Sequence, residues 1–587
     1  MAQAKRAVRV AVAGGGIAGL TAALRLSQRG YQVTLYEEKP WLGGNLGSHA
    51  NPGSDVYHDV YPHMFSNFYV NFWDIAQNDL GLRRDLSEQT DFEARDSMKF
   101  ITRDGGCSVM RNAASMDPQA LWGDLMSGTG GTSPLDMFLY LYSMVDLMAH
   151  PFHLRGRLGQ SVNGVVQSRP CATPQVASLH DAVVMLIWSI HASATSAVSY
   201  QNFYQHAFGN VTPLLWLLKG SLQEKLIAPL EAKLRALGCE IQTQTSLHSV
   251  TLVGAGVERI ELVKASYDYA THKVSRGDKP RKVKDFDYLV LAVPPDALGR
   301  LADTGRHDLT DKLPRLAHAG KRLPSEPIAV MDIYFKKKLL GVPPENVAAT
   351  DSDCYFSFID ISQLWQDKHM HGRTALTLAA SDYWALPSDD DRINAHHMIK
   401  ELHQYLPEFR PGTHWGDEDC DIDWPMTSYQ SNKDDVIFVN QVGSWDYRPE
   451  PHDPSIPNLF FAGDFCRNHV DMATAEAAVT SGLNAAAALQ QAQPLGDKIE
   501  VLRPPMFSAW QLGALKLMMM PSAYATKAWL AASDVAQGAS GRSSPQDLGQ
   551  SMGQNMAGLM QLPFACVADG LETLGAMWQD GLPKPGA

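Results

Sequence analysis

Charge is scarce in this chain. Of 587 residues, 19% are Asp, Glu, Lys or Arg, and the net charge is −13. No long Lys/Arg run occurs; the nearest, Lys279–Lys284, is short and reads as a solvated hairpin. An acidic chain without a basic face lacks the electrostatic footprint of a nucleic-acid binder, so no nucleic acid is expected as a partner. Cysteine is also sparse. Cys107, Cys171, Cys239, Cys354, Cys420, Cys466 and Cys566 form no Cys-x-x-Cys pair. Neither a disulfide framework nor a zinc site is suggested, and no metal is expected. Long apolar runs are missing too. Residues 135–149 carry Asp136 and Asp146, and residues 182–218, though free of formal charge, are studded with His, Ser, Asn and Gln. A spanning helix needs about 20 predominantly apolar residues. These stretches therefore read as buried or surface-docking helices. The opening MAQAKRAVRVAVAGGG has no apolar signal core, which predicts a cytoplasmic location. No internal repeat of fixed period is present.

What is there begins at residue 7. Residues 7–13 (AVRVAVA) suit a buried parallel strand, residues 17–29 have helical spacing, and Tyr31–Tyr36 is a second strand. Between the first strand and the helix lies Gly14-Gly15-Gly16-Ile17-Ala18-Gly19. In this G-x-G-x-x-G, Gly14 permits the tight turn, Gly16 permits close approach of a pyrophosphate, and Gly19 permits the helix to pack on the sheet. The helix start presents free N–H groups and a partial positive charge to the phosphates. Glu37 ends the second strand, 18 residues past Gly19. That is close to the spacing at which a carboxylate meets the ribose hydroxyls. Glu37-Glu38-Lys39 is followed by a second glycine turn, Gly43-Gly44-Asn45. A nicotinamide Rossmann domain has no special need of this turn, which tips the reading from NAD to FAD.

On these residues, 8–47 resemble the FAD-binding start of the flavin amine oxidase and phytoene desaturase superfamily. That superfamily usually has Arg where Asn45 stands. Asn458–Ala488 is similar to its C-terminal motif: a strand, Gly463-Asp464, and a small-residue helix ending Ser-Gly-x-x-Ala-Ala. The resemblance implies that Asp464 bonds the ribityl or pyrophosphate region. It further implies that Thr474 and Ala475 open a helix facing the flavin, with small residues packing on the isoalloxazine. Glu476 matches the family's acidic residue, whereas Ala477 stands where Gly is usual. Asp59–Leu82 is similar to the corresponding segment of plant-type carotene desaturases and hydroxysqualene dehydroxylase-like proteins. There Asp59 and His63 fit the pattern and Tyr61 replaces a glycine. Leu214–Pro229 adds to the likeness. By the same mapping Leu247 is the adenine-contacting strand residue and Ala292–Pro294 a turn near the cofactor. Asn45, Tyr61 and Ala477 would then all lie near one cofactor.

The fold expected is α/β: a Rossmann-type FAD-binding domain, an inserted α+β substrate domain and a helical C-terminal extension. The FAD-binding parts are residues 1–82, 237–300 and 441–490. A mostly helical cap spans 83–236 and substrate-domain strands with a helix span 301–440. The extension, 491–587, contains a Gly/Ser/Gln-rich linker at 537–555 and packs on the body, a membrane or a partner. Within these parts, residues 161–178 read as a loop, 180–236 as mostly helix and 239–263 as a strand pair.

His63 is a candidate pocket base, since its ordinary pKa lies near neutrality; the alternative is a structural His bonded to backbone. Tyr61, Tyr447 and Arg448 are the other catalytic candidates, with Trp445 beside them. His191 and His206 read as core residues. The apolar stretches at 135–149 and 182–218 suit a tunnel for a long apolar chain or a plain core. The resemblance implies FAD-dependent hydride removal from an apolar, isoprenoid or lipid-like substrate, with oxygen or a quinone as electron acceptor and peripheral contact at the inner face of a membrane. Amine oxidation to an imine, redox-neutral isomerisation and a non-enzymatic lipid-binding scaffold are the alternatives.

Overall fold

Short apolar runs without alternation form buried parallel strands, because both faces of such a sheet are covered. In the computed structural model, Arg9–Ala13 pairs in parallel with Gln32–Tyr36 and with Tyr288–Leu291. Glu240–Gln242 and Leu459–Phe461 complete a five-stranded parallel sheet at its two edges. The structure describes residues 6–111, 133–149, 159–210, 213–303, 308–540 and 545–581. The sheet thus gathers strands from three distant chain segments. The helices Ile17–Gln28 and Ala475–Ala492 pack on each other, and their approach is close at Gly482, where a Cβ would overlap the Ala18 carbonyl oxygen.

A second, seven-stranded sheet runs Ser428–Gln430, Ala329–Tyr334, Ala375–Ala380, Phe356–Asp360, Asn346–Ala349, Ser97–Ile101, Cys107–Arg111. It is antiparallel except between Asn346–Ala349 and Ser97–Ile101. Its core is separate and includes Ala395, Met398, Ile399 and Leu402 of the helix Asp391–Tyr405. The expected strand pair is Thr245–Val253 with Gly256–Asp268. The Lys279–Lys284 cluster lies at its exposed margin, around the short strand Arg281–Val283.

Two expectations fail here. Residues 161–178 are not a loop: Ser161 caps a helix at Val162–Ser168, and Thr173 caps the helix Pro174–Trp188 with proline at its start. Both are ordinary helix-start signals. Residues 180–236 are mostly helix as expected, although Leu215–Leu218 among them is a strand paired with Phe92–Arg95. Four apolar residues have no period that separates strand from helix. His191 is exposed, not core, and bonds Asp181; His206 is buried as expected.

The extension forms two long helices, Ala509–Ser540 and Pro545–Gly581, packed on each other. Residues 537–540 and 545–555 of the expected linker are therefore helical, and 541–544 lie outside the described residues. The first of the two helices lies on the helix Pro134–Ala149. Among the described residues no helix is long and apolar enough to cross a membrane.

Candidate active site

Ala13, Tyr36 and Ala292 end or directly follow three of the parallel strands, Gly463 lies two residues past the end of a fourth, and all four line one cavity of about 970 Å³. Ligands of open α/β sheets bind beyond the carboxyl ends of the strands. The cavity wall here is built from the three chain segments that the sheet gathers.

At the sheet end the wall is mostly backbone. Gly14 has φ +109 and a Cβ there would overlap the Ala292 carbonyl oxygen. Gly16 lines the cavity with its Cβ direction nearly open, the nearest atom being the Gly44 Cα at 4.0 Å. A side chain there would fill the cavity rather than strike protein. Gly43 and Gly44 face it across an isolated parallel bridge from Gly43 to Gly16. Ile17, Ala18 and Asn45 line the same end. Gly19 does not reach the cavity. It sits behind the turn, where a Cβ would overlap the Gly14 carbonyl oxygen. The Ile17–Gln28 helix has no side-chain cap, so its first N–H groups are left for a ligand.

Glu37 lines the cavity from the end of its strand. Its Oε2 accepts the Gly15 N–H at 2.7 Å and its Oε1 the Lys39 N–H at 2.8 Å. Burial nevertheless pushes the carboxyl up to about 6. Each oxygen keeps a further lone pair for a ribose hydroxyl. Glu38 and Lys39 border the cavity, but their charges are matched within the protein. Arg276 grips Glu38 at 2.8 and 3.0 Å, and Lys39 pairs with Asp435. The Asn45 amide donates to the Val436 carbonyl at 3.3 Å. Leu247, from Thr245–Val253, also lines this end.

The C-terminal segment closes the opposite side with Gly463, Asp464, Thr474 and Ala475. Thr474 caps the Ala475–Ala492 helix by accepting the Ala477 N–H at 3.2 Å. Burial pushes Asp464 up to about 6 while the nearby Arg448 opposes the shift. Arg448 itself does not face the cavity, contrary to its reading as a catalytic candidate. It is buried, ion-pairs with Asp471 and donates to the carbonyl oxygens of Phe465 at 2.8 Å and of Asp464 and Cys466 at 3.4 Å. It holds the turn that presents Asp464. Tyr447 also points elsewhere, beside Arg322 and His318. Trp445 stacks with Arg448 and Arg467. Ala477 is buried away from the cavity, so only Asn45 and Tyr61 of the three departures border it. Of the small residues in this helix, Ala475 and Ala478 reach the cavity, whereas Gly482 serves helix packing.

Tyr61 and His63 do line the cavity. The Tyr61 hydroxyl donates to the Asp435 carbonyl at 2.5 Å, and burial raises its pKa. His63 Nδ1 lies 2.8 Å from the Tyr61 carbonyl oxygen, an acceptor, so Nδ1 carries the proton and Nε2 keeps its lone pair. Burial pushes the ring down to about 4, and it is neutral at pH 7.

Beyond His63 the wall is side chain, supplied by the helices Pro134–Ala149, Pro174–Trp188 and Ala197–Gly209. Met137, Leu141, Met144, Leu186, Ile187, Phe203 and Phe208 stand there with two hydroxyls, Tyr140 and Tyr204. These residues carry no motif. The only signal was the lack of formal charge over 182–218 and its near-absence over 135–149. Among the described residues no group of His, Cys, Asp or Glu is placed to hold a metal.

The wall of bare backbone, buried carboxylate and helix starts fits an adenine dinucleotide of the FAD kind. With such a cofactor bound, the glycines would leave room for the phosphates, Glu37 would be free to accept from a ribose hydroxyl, and the Ala475 helix start would serve the flavin.

Comparison with known proteins agrees. The family model for flavin containing amine oxidoreductases matches residues 17–490. Carotenoid phi-ring synthase of Streptomyces griseus is 26% identical over 82% of this chain and 87% of its own length. The probable zeta-carotene desaturase of Synechococcus elongatus is 23% identical over 83% and 100%. Cyclohexylamine oxidase of Brevibacterium oxydans shares the fold, with a TM-score of 0.52, 13% identity, and 83% and 99% of the two chains covered. The chain belongs to the flavin-containing amine oxidoreductase family and is an FAD-dependent oxidoreductase.

Proposed function

We propose that this enzyme removes hydride from an apolar, isoprenoid-like substrate to create a carbon–carbon double bond. The observation that carries the reading is the uncharged wall beyond His63, where three helices present Met, Leu, Ile and Phe side chains and no carboxylate or ammonium. The two carotenoid-named relatives support it. FAD, when bound, supplies the two-electron hydride acceptor. The chain's own part is to hold the substrate against that acceptor, keep water out and take up the proton. The apolar wall does the first two. Neutral His63, with Nε2 unprotonated, borders the same cavity and offers the substrate side a hydrogen-bond acceptor rather than the proton outlet. Oxygen or a quinone closes the cycle. The cyclohexylamine oxidase likeness keeps amine oxidation as the second reading, but nothing charged in the apolar wall would pair with an ammonium.

The same reading places the protein on the cytoplasmic face of a membrane, where such substrates reside. Exposed Trp510, Trp529, Phe564 and Trp578 of the C-terminal helices support it. The enzymatic test is anaerobic mixing of the flavin-loaded protein with squalene, zeta-carotene or a panel of primary amines while the oxidised flavin band is followed. Bleaching by an isoprenoid is expected; bleaching by amines alone overturns the proposal.

A further inference from the structure

A hydrogen-bonded chain leaves the apolar end of the cavity and runs through the cap. The Tyr140 and Tyr204 hydroxyls are 2.9 Å apart, and Tyr204 and Tyr200 are 2.7 Å apart. The Tyr200 hydroxyl lies 2.9 Å from His180 Nδ1, and His180 Nε2 lies 2.9 Å from the Ser143 hydroxyl. Tyr140 and Tyr204 line the cavity; Ser143 does not, and it is partly exposed. Tyr200 and His180 are fully buried between them. The three helices that form the apolar wall supply all five residues.

We propose that this chain is the proton outlet of the reaction, an inference that rests on the desaturation reading above. Desaturation breaks two C–H bonds. One hydrogen leaves with its electron pair to FAD, the oxidant. The electrons of the neighbouring C–H bond become the new double bond, and its hydrogen leaves as a proton. The substrate loses two electrons and FAD gains them, so only that proton needs a path.

The five groups provide one without a buried ion in either end state. In one arrangement every donor points away from the cavity: Tyr140 to Tyr204, Tyr204 to Tyr200, Tyr200 to His180 Nδ1, and Nε2–H to Ser143. A proton arriving at the Tyr140 oxygen shifts each donor one step, and Ser143 releases its own proton outward. The result is the reverse arrangement, with the imidazole still neutral and its proton now on Nδ1. A neutral phenol is a weak base, but the hydrogen beside a developing carbocation is strongly acidic. Loss of the phenol's own proton down the chain makes the transfer favourable. Burial agrees with neutral members throughout, holding His180 down to about 3 and Tyr140 up to about 12. Tyr140 is the candidate catalytic residue. Tyr204, Tyr200, His180 and Ser143 act through it.

Both Tyr140 and Tyr204 line the cavity and both are hydrogen-bonded to Tyr200, so the chain is cut by Tyr140→Phe together with Tyr204→Phe, which keeps both rings. With squalene and zeta-carotene in detergent micelles, the expected loss in this double variant is about 100-fold in the saturating rate of flavin bleaching. Half-saturation should stay within about twofold and flavin content should be unchanged. Either single change should lose less, because the remaining hydroxyl still joins the cavity to Tyr200. A rate within about threefold of wild type in the double variant overturns the proposal. The second readout needs no turnover: ¹⁵N NMR of histidine-labelled protein, with His180 assigned by His180→Gln. A neutral His180 is expected, and Tyr140→Phe with Tyr204→Phe should fix its proton on Nε2, because Tyr200 is then left with Nδ1 to donate to. A charged His180 at pH 7 overturns the relay whatever the substrate. Failure of both isoprenoids to bleach the wild-type flavin overturns the substrate reading instead.

Discussion

Gly16 and Gly19 lie three residues apart and lack a side chain for opposite reasons. Gly19 is pressed against the Gly14 carbonyl, so a Cβ has nowhere to go; Gly16 borders open cavity. Gly19→Ala should therefore lower the melting temperature and the flavin content together. Gly16→Val should leave the flavin-free protein as stable as wild type and yield colourless protein. Calorimetry of apo forms beside flavin absorbance separates the two, and a fully yellow Gly16→Val protein would refute the phosphate cradle. The glycine pattern was legible because such positions tolerate nothing else. Arg448 was not. A lone Arg before the last strand reads as substrate-facing or structural alike, and only its bonds to the Phe465 and Asp464 carbonyls show which.

Buried carboxylates set a pH dependence at the same scale. Burial raises Glu476 from 4.5 to about 7, even though it accepts the Asn71 and Phe72 N–H groups at 3.0 and 2.9 Å. A carboxyl whose pKa is raised by folding stabilises the fold below its unfolded pKa, and that contribution is lost as pH rises through the folded value. Glu37 and Asp464, both raised to about 6, act with the same sign. Buried His63 and His180, held down to about 4 and 3, act with the opposite sign up to about pH 6.5, so the carboxyl effect is read as a difference between proteins. The melting temperature of flavin-free wild type relative to Glu476→Gln should fall between about pH 4.5 and 7; a constant difference would assign the dependence to other groups.

Between elements, one buried tie of the C-terminal extension to the body is ionic. Lys516 is wholly buried, 2.6 Å from Asp569 and 2.7 Å from Asp146. Arg169 also bonds both carboxylates, at 2.7 and 2.5 Å. The two cations match the two buried anions, with the exposed Glu572 3.6 Å from Arg169 at the rim, so removing Lys516 leaves an uncompensated buried charge. Lys516→Met should cost about 3–5 kcal/mol. Lys516→Met with Asp569→Asn should cost less than the two single changes added, because Arg169 and Asp146 remain a pair. Strict additivity in chemical denaturation would mean the charges do not interact. None of this was legible in the sequence. Asp146 stood out only as a charge in an apolar stretch, and its partners Arg169 and Lys516 lie 23 and 370 positions away. By contrast, the βαβ start was legible because its strand, turn and helix signals are all local. The strand Leu215–Leu218 was missed because its partner, Phe92–Arg95, is not local.

Across the whole molecule, the extension couples the surface to the cavity. The helix Pro134–Ala149 carries Asp146 against the extension and Met137, Tyr140, Leu141 and Met144 against the cavity. One helix diameter, about 10 Å, therefore separates the two. On the outer side of the extension Met560, Phe564, Val567, Leu571, Leu574 and Trp578 are exposed at alternating spacings of four and three, one continuous helical stripe. Trp510, Met518 and Trp529 are exposed on the partnering helix. Its Lys516 and Lys527 are turned inward, to Asp569 and to the Ala172 carbonyl. An exposed apolar stripe with tryptophans suits a lipid surface, where a ring can bury its body and keep its N–H wet. A membrane bound there would bring an apolar substrate within one helix of the cavity wall. Trp510→Ser, Phe564→Ser and Trp578→Ser combined should abolish co-sedimentation with phosphatidylcholine vesicles while flavin content and melting temperature hold. Removing the extension outright is a poorer test, because it strips Lys516 from Asp146. Equal sedimentation of wild type and triple variant refutes the membrane reading. So does a wild-type dimer in solution that the same substitutions split, since the stripe would then be covered by a second copy of the chain.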